Sequence, residues 1–435
     1  MSGPVALTLW GLLGTFVLIA LHVPVGIAMG IAGVVGFGVL SGFGPALAMI
    51  ASETSNNLAS LDLATIPLFV LMGSFASMAG LSEDLYRLAY AMVGHRRGGL
   101  AMATIGGCAG FGAVCGSSVA TAATFGKASL PSMLSRGYSP GFAAGTVASG
   151  GTLGILIPPS SIMVIYAVLS QELIITLYVA ALVPSVIAVA LHLGTIALYT
   201  RLRPGDAPTG PKATAARRMA AVKASWPVLV LAGTVMGGMA AGVFTATESA
   251  AVGAVMAFLF AWGRRRLRPQ AVRAAVLSTA STAAMIYVLI IGASLFGYFA
   301  AVTQAPQALV EAVKASGIPV WAAVVALMAM FVVAGAVFDE VAAMVVTMPF
   351  VLPLIKSWGF DPVWWGVINV VIIELGMLIP PLGMNVFVVK GVAPQIPLRA
   401  IYRGVAPYVA SNIVRLAVLL SFPALSLWLP HVLKG

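Results

Sequence analysis

The sequence Leu-Ile-Pro-Pro occurs twice in this chain, at residues 156–159 and again at residues 378–381. When the chain is shifted by 222 residues, residues 119–164 align with residues 341–386 without a gap, and 14 of the 46 positions are identical. Apolar composition alone does not place rare Pro-Pro pairs in register, so the match indicates an internal duplication. The chain is therefore predicted to fold as two related halves, each with a segment that proline interrupts.

The long apolar runs predict a protein that lies in a membrane. Hydrophobic residues make up 60% of the 435 positions and charged residues 8%, whereas an average soluble domain has about 25% charged residues. Runs of the roughly 20 apolar residues that a helix needs to cross a bilayer recur from Val5 to Leu429. We therefore predict an all-α polytopic membrane protein surrounded by membrane lipid.

The basic residues are concentrated in short loops between the apolar runs. The formal net charge of +11 would also suit a nucleic-acid partner, but basic loops between apolar spans are typical of the cytoplasmic side of a membrane protein. Two such loops, at residues 201–223 and 264–273, are predicted to be cytoplasmic, and no nucleic-acid partner is expected. The histidines are scattered, and Cys108 and Cys115 are expected only to pack, so we predict neither a catalytic site nor an organic cofactor.

The apolar runs and basic loops divide the chain into four predicted parts. In order, these are N-terminal scaffold helices at 1–63, a first repeat at 64–200, a cytoplasmic linker with paired spans at 201–275, and a second repeat with a C-terminal helix at 276–435. The C-terminal helix is predicted at residues 403–429. The second half is thus predicted to repeat the order of elements in the first.

Each repeat is predicted to contain a re-entrant helical hairpin, at about 100–134 in the first and about 318–355 in the second. The first hairpin is rich in Gly, Ser and Thr, and Arg97 and Arg136 flank it on both sides, so we expect it to enter and leave the membrane from the cytoplasm. Counting spans onward from Arg136 opens the second hairpin to the other side. The repeats are therefore predicted to be inverted, an arrangement typical of secondary transporters with sites near the bilayer midplane.

The interrupted helices and hairpin tips are expected to supply ligands for ions. A Pro-Pro pair removes two N–H donors and frees the preceding carbonyl oxygens for a cation, while the N-termini of half-helices direct positive partial charge at an anion. We therefore predict two cation sites around one anion site. The candidate cation ligands are Ser117, Ser118, Gly151, Thr152 and Gly154 in the first half, and Asp339, Glu340, Gly376, Pro380 and Gly383 in the second. The candidate ligands of the anionic substrate are Ser117, Ser118, Thr121, Ser160 and Asn385.

Several of these residues have a second interpretation. Ser117 and Ser118 could simply cap a helix within the bilayer, without binding an ion or a substrate. Charged side chains in apolar segments often mark transport sites, because each is costly in lipid, but each could also form a structural ion pair. The residues to which this choice applies are Lys127, Glu248, Asp339, Glu340 and Glu374.

Five stretches of the sequence resemble the large membrane subunit of TRAP transporters, the tripartite ATP-independent periplasmic systems. They lie at residues 66–73, 116–121, 150–160, 242–251 and 380–387. The resemblance implies an elevator-type secondary transporter of the bacterial inner membrane that imports a small organic anion, such as a C4-dicarboxylate, by sodium symport. It also implies two partners, a small four-helix membrane subunit as a separate chain and a periplasmic substrate-binding protein, with sodium as the coupling ion at both cation sites.

The sequence departs from the family pattern at two positions. Ile379 stands where the family often has Thr before the second Pro-Pro pair, and Ala246 stands where it often has Pro. Without that threonine hydroxyl, backbone oxygens are the expected ligands at the second cation site.

The main alternative function is a stand-alone divalent-anion/sodium symporter, which shares the hairpins and inverted repeats but needs no binding protein. A membrane-embedded enzyme is disfavoured because the apolar segments lack constellations of His, Asp and Glu. A purely structural subunit would not need two breaks in register.

Overall fold

The computed structural model describes residues 3–434, so residues 1–2 and 435, the outermost ends of the predicted N-terminal scaffold and second repeat, lie outside it. Within the described range the chain forms twenty α-helices and one short 3-10 helix, without a β-strand. Nine of the described helices are long and apolar enough to cross a membrane, or ten spans if one bent helix pair is counted as a span. The prediction of an all-α polytopic membrane protein is confirmed.

The first half contains ten α-helices. Their bounds are α1 Gly3–Ala20, α2 Val25–Ser41, α3 Phe43–Ala59, α4 Leu61–Met78, α5 Leu81–Val93, α6 Gly99–Cys115, α7 Ser118–Leu134, α8 Pro140–Leu156, α9 Ser161–Ser170 and α10 Ile174–Leu202. The second half follows a 3-10 helix at Pro204–Asp206 and also contains ten α-helices. Their bounds are α11 Ala215–Ala240, α12 Ala246–Gly263, α13 Pro269–Val302, α14 Ala305–Ala315, α15 Val320–Val337, α16 Glu340–Ser357, α17 Pro362–Gly376, α18 Met384–Val392, α19 Leu398–Ser421 and α20 Ala424–Lys434.

The hairpins and interrupted helices are present in both repeats. Each hairpin is a pair of helices joined by a tight turn, α6 with α7 in the first half and α15 with α16 in the second. The interrupted helices are α8 with α9, which meet at a bend of 40°, and α17 with α18. In both, the Pro-Pro pair lies in the segment between the two helices, which follows from the missing N–H groups of proline.

Two parts of the fold differ from the sequence prediction. Helix α3 was not predicted, because the polar run at residues 52–57 interrupts its apolar pattern. The prediction of one final helix at 403–429 is wrong, since α19 ends at Ser421 and α20 begins at Ala424. Pro423 lies between them and has no N–H with which to continue the helix.

The two halves pack as equivalent partners. Helix α7 of the first hairpin packs against α18, and α16 of the second hairpin packs against α9. In the same way α8 packs against α19 and α17 against α10, while α2 packs against α13 and α12 against α4. Exchanging the repeats converts each contact into its counterpart, so the hairpins and interrupted helices of both halves surround one common centre.

Small residues let these helices approach closely. A methyl group on Gly145 of α8 would lie 2.4 Å from the carbonyl oxygen of Gly404 in α19. A methyl group on Gly26 of α2 would lie 2.6 Å from the carbonyl oxygen of Val288 in α13. Helix pairs in membranes commonly pack through such small residues, because the hydrophobic effect does not drive their association in lipid.

The linker between the halves packs on the base of the first hairpin. The Ser139 amide donates a hydrogen bond to the Asp206 carbonyl oxygen (2.9 Å), and Thr209 forms a backbone bridge with Arg97. The flanks of the hairpin therefore lie on the same face as the basic linker. A first hairpin that opens toward the cytoplasm requires this arrangement.

Candidate functional site

The tip of the first hairpin is held by its own hydroxyl and backbone groups. Gly116 adopts a left-handed conformation (φ 63°) and turns the chain between α6 and α7. The Ser117 hydroxyl accepts a hydrogen bond from the Ala120 amide (3.4 Å), and the Thr121 hydroxyl donates to the Ser117 carbonyl oxygen (2.7 Å). Ser117 therefore caps α7, and its carbonyl oxygen is fixed at the tip.

The first break, which comprises the last residues of α8 and residues 157–160 before α9, packs directly against this tip. A methyl group on Gly154 would lie 2.6 Å from the Ser117 carbonyl oxygen and 2.6 Å from the Thr121 hydroxyl oxygen, so the contact requires glycine. The Ser161 amide donates to the Gly116 carbonyl oxygen (3.4 Å). The tip and the break of the first half are thus joined, as their predicted roles require.

Proline leaves carbonyl oxygens of the first break without helical partners. Pro158 and Pro159 have no N–H to donate to the carbonyls of Gly154 and Ile155, four residues earlier. The Ser160 hydroxyl donates to the Ile155 carbonyl instead, whereas the Gly154 carbonyl accepts no hydrogen bond from residues 3–434. That free oxygen belongs to the residue that contacts the first tip and is available to a cation.

The second tip is capped by a carboxylate instead of a hydroxyl. Asp339 Oδ1 accepts a hydrogen bond from the Val341 amide (3.0 Å) and so caps α16, at the position that Ser117 occupies in the first repeat. The Leu382 amide donates to the Ala336 carbonyl oxygen (3.2 Å). The second break is therefore joined to its own hairpin, as in the first half.

The second break, residues 377–383 between α17 and α18, presents a run of free backbone oxygens. The Gly376 carbonyl accepts a hydrogen bond from the Ile379 amide (3.2 Å) at the end of α17. The carbonyl oxygens beyond it that accept no hydrogen bond from the described residues are those of Leu378, Ile379 and Pro380. Gly383, in a left-handed conformation (φ 55°), lies beside them, because a methyl group there would be 3.1 Å from the Ile379 oxygen. Backbone oxygens are thus available at the second site.

The two halves meet at Ser118. Its hydroxyl oxygen lies 3.1 Å from Glu340 Oε2 at the second tip and 3.3 Å from Asn385 Oδ1 after the second break. With Met377 Sδ at 3.5 Å, three acceptors compete for one proton. The Asn385 amide nitrogen donates to the Ala148 carbonyl oxygen of α8 (3.2 Å). Ser118 and Asn385 are both fully buried. Candidate ligands from both tips and the second break therefore converge at one point.

The other predicted ligands lie at different distances from this centre. Gly151 borders it, because a methyl group there would lie 3.1 Å from Asn385 Nδ2. The Thr152 hydroxyl donates to a carbonyl of its own helix (2.9 Å). Ser160 closes the first break, and its carbonyl oxygen accepts a hydrogen bond from the Tyr178 hydroxyl (3.2 Å). Thr152 and Ser160 are thus engaged within the first repeat.

The two breaks differ in exposure. Residues 158–160 of the first break are buried. In the second break Pro380 and Pro381 are exposed, and Leu382 exposes 48% of its surface. Two segments with the same Leu-Ile-Pro-Pro sequence therefore have different surroundings in this conformation.

Glu374 forms a buried ion pair beside the second break, and its partner, Arg415, was not predicted. Glu374 of α17 binds Arg415 of α19, and both side chains are shielded from solvent. Arg415 shares one face of α19 with Tyr408 and Asn412, and this polar stripe on an apolar helix is the sequence signal that could have revealed it. The ion-pair interpretation therefore applies to Glu374.

Two other charged residues of the sequence prediction have different outcomes. Glu248 and Thr245 form a capping box at the start of α12, in which the Thr245 amide donates to the Glu248 carboxylate (2.8 Å) and the Glu248 amide donates to the Thr245 hydroxyl (3.2 Å). Lys127 has no carboxylate of the described residues within 4.0 Å. Glu248 thus has a structural role, and Lys127 forms no salt bridge with a described residue.

This chain is similar to a known protein family, to individual relatives and to a solved structure. The family model for the DctM component of the tripartite ATP-independent periplasmic transporter matches residues 12–425. The chain is 34% identical over 387 residues to the C4-dicarboxylate TRAP transporter large permease protein of Pseudomonas aeruginosa, covering 88% of this chain and 89% of that protein. It is 28% identical over 414 residues to the ectoine TRAP transporter large permease protein of Halomonas elongata, and the match covers 95% of this chain and 96% of that protein. Among solved structures, the YdaH transporter of Alcanivorax borkumensis has a similar fold, with a TM-score of 0.62 at 16% identity over 98% of both chains.

Proposed function

Because the chain belongs to the family of the DctM component of tripartite ATP-independent periplasmic transporters, we propose that it moves a small organic anion across the bacterial inner membrane, driven by sodium. The convergence of both hairpin tips on Ser118 is the observation that supports this proposal most directly. Membership of this permease family makes the chain a transporter, and we propose no enzymatic activity for it.

The two junctions between tip and break are the proposed sodium sites. In the first, the Gly154 carbonyl accepts no hydrogen bond from the described residues, and Gly154 packs against the tip that Ser117 caps. In the second, the free carbonyls of the break lie near Gly383, and Asp339 and Glu340 supply carboxylates at the tip. A sodium ion can replace its hydration shell with such backbone and carboxylate oxygens.

Glu340 gives a physical reason for coupling between sodium and substrate. Its carboxylate lies 3.1 Å from Ser118, at the centre where the anion is proposed to bind, and would repel a substrate carboxylate. A sodium ion bound beside Glu340 removes that repulsion, so sodium raises the affinity for the anion. Because coupling between two sites is reciprocal, the anion also raises the affinity for sodium.

The proposed anion site combines hydroxyl and amide groups with helix ends. Ser118 and Asn385 lie at the centre, and Ser118 is the first residue of α7. The N-terminus of α7 therefore directs positive partial charge toward the bound anion. C4-dicarboxylates are the first candidates, because the relative from Pseudomonas aeruginosa at 34% identity is named for them.

The remaining parts of the proposal follow from the family. The hairpins and interrupted helices would form a mobile body that slides as an elevator against a scaffold of α1–α5 and α11–α14. A small four-helix membrane subunit, as a separate chain, would support the scaffold. A periplasmic binding protein would deliver the substrate.

The experiment that tests this function is uptake into proteoliposomes. The vesicles would contain this chain and its small subunit, with a candidate binding protein outside, and a panel of C4-dicarboxylates, keto acids and sugar acids would be tested. We expect uptake that needs both an inward sodium gradient and the binding protein. Full uptake without the binding protein would support the stand-alone symporter instead, and equal uptake without sodium would refute sodium coupling.

A further inference from the structure

A cleft of about 440 Å³ separates helix α7 of the first hairpin from α4 and α5. The polar side chains that line it are Ser77, Glu83, Tyr86, Arg87, Thr124 and Lys127. It lies between a helix of the proposed mobile body and helices of the proposed scaffold.

The cleft carries positive charge without a carboxylate partner. Lys127 and Arg87 are both exposed, and no carboxylate of the described residues lies within 4.0 Å of either. Glu83, the one acidic residue among those that line the cleft, lies 3.8 Å from Arg266 instead. The side chains that line the cleft therefore favour a negatively charged occupant.

Lys127 lies farther along α7 than Ser118 and on the other face of the helix. It follows Ser118 by nine residues, which is two and a half turns and roughly 13 Å at 1.5 Å per residue. Thr124 precedes Lys127 on the same helical face. A lysine in an apolar hairpin is costly in lipid, so an unpaired one is expected to face water.

The side of the membrane follows from the base of the hairpin. Helix α7 runs from its tip toward Arg136, and the basic linker packs on that base. Basic residues mark the cytoplasmic side. The cleft is therefore nearer to the cytoplasm than the centre is.

We propose that this cleft is an anion-binding vestibule on the cytoplasmic side of the transport centre, in which Lys127 and Arg87 bind the carboxylate group of the transported anion. The identity of the anion rests on the proposed function, whereas the positive charge of the cleft does not. The two can therefore be tested separately.

The charge is tested by thiol labelling of Thr124→Cys in phosphatidylcholine nanodiscs, where both faces of the protein are accessible. Cys108 and Cys115 are buried, and the unsubstituted chain gives the background rate. The rates of an anionic and a cationic methanethiosulfonate reagent are compared with and without Lys127→Gln. One unit charge about 6 Å away in water changes each rate roughly threefold, in opposite directions, so we expect the ratio to fall by up to about tenfold.

Two controls accompany the labelling. Lys356→Gln removes an exposed cation from the equivalent helix of the other hairpin and should leave the ratio unchanged. The effect of Lys127→Gln should shrink in about 1 M salt, where charges are screened within about 3 Å. An equal ratio with and without Lys127→Gln at low salt would overturn the proposal.

The occupant is tested by protection of Thr124→Cys from the label. We expect an anion from the panel above, starting with succinate, to slow labelling, and Lys127→Gln to abolish that protection. If phosphatidylglycerol protects the thiol without any added anion, and the anions add nothing, a lipid headgroup occupies the cleft and the proposal is wrong. Protection by an organic anion in a chain that shows no sodium-driven uptake would refute the proposed function and leave the vestibule intact.

Discussion

Ser118 and Glu340 occupy equivalent positions in the two repeats, 222 residues apart, and the hydroxyl oxygen of the first lies 3.1 Å from a carboxylate oxygen of the second. The same positions of a duplicated sequence thus face one another where the two hairpin tips meet. The duplication is symmetric in backbone and asymmetric in chemistry, since one tip offers a hydroxyl and the other a negative charge. That asymmetry suits a site that binds cations and an anion together.

The first prediction concerns Glu340. Glu340→Gln keeps the shape of the side chain but removes its charge, so the sodium concentration for half-maximal uptake should rise about 10- to 100-fold, as expected for a contact to a charged group of about 1.5–3 kcal/mol. Ser118→Ala removes a neutral hydrogen bond and should raise it only a few-fold. Sodium titrations of uptake into proteoliposomes measure both. The control is Ser135→Ala, which removes an exposed hydroxyl just after the end of α7. An unchanged sodium dependence in Glu340→Gln would exclude this carboxylate from the site.

The second prediction concerns the contact between the first tip and its break. A methyl group on Gly154 would lie 2.6 Å from the Ser117 carbonyl oxygen, so Gly154→Ala should push the tip away from the break. Overpacking of this kind costs about 1–3 kcal/mol, and we expect sodium-stimulated uptake to be lost while the protein still inserts.

The matched control for that substitution is Gly194→Ala in α10, where no atom of the described residues outside the helix's own local backbone lies within 4 Å of the added methyl group. Uptake and thermal unfolding of both variants would be compared in the same detergent. Wild-type sodium dependence in Gly154→Ala would show that the first junction need not be closed for coupling.

The third prediction concerns the ion pair of Glu374 and Arg415. Both side chains are buried, so Arg415→Met leaves an unpaired carboxylate and should destabilise the protein by about 3–5 kcal/mol. The double variant with Glu374→Met removes both charges and should recover much of that loss, because a buried ion pair contributes little compared with apolar packing. Thermal unfolding in detergent gives the comparison. A double variant as unstable as Arg415→Met alone would show that these residues contribute through other contacts.

The sequence predicts those parts of the fold that depend on local pattern. The paired Pro-Pro motifs predicted both interrupted helices, because missing N–H groups end a helix wherever they occur. The basic flanks of the first hairpin predicted it, and the internal duplication extended that prediction to the second. The capping box of Thr245 and Glu248 was also readable, as a Thr followed three residues later by Glu, although Glu248 was given a choice of roles.

The parts that the sequence does not predict depend on contacts between distant residues. Arg415 meets Glu374 only because α19 packs beside α17, and nothing within either helix specifies the other partner. Helix α3 and the division of the last helix at Pro423 were missed, one because its polar residues hide the helical pattern and the other because one proline in an apolar run permits either a kink or an end. The convergence of Ser118, Glu340 and Asn385 likewise required both repeats to be placed in space.

Equilibrium binding of radioactive sodium to the purified chain in nanodiscs, with the number of ions per chain determined at saturation, tests the two tip and break junctions most directly. We expect two ions per chain, bound more tightly when a transported anion is present, and in the Glu340→Gln variant one of the two ions should bind about 10- to 100-fold more weakly. Unchanged affinities for both ions in Glu340→Gln and in Gly154→Ala, or no saturable sodium binding at all, would contradict the assignment of these junctions as the coupling sites.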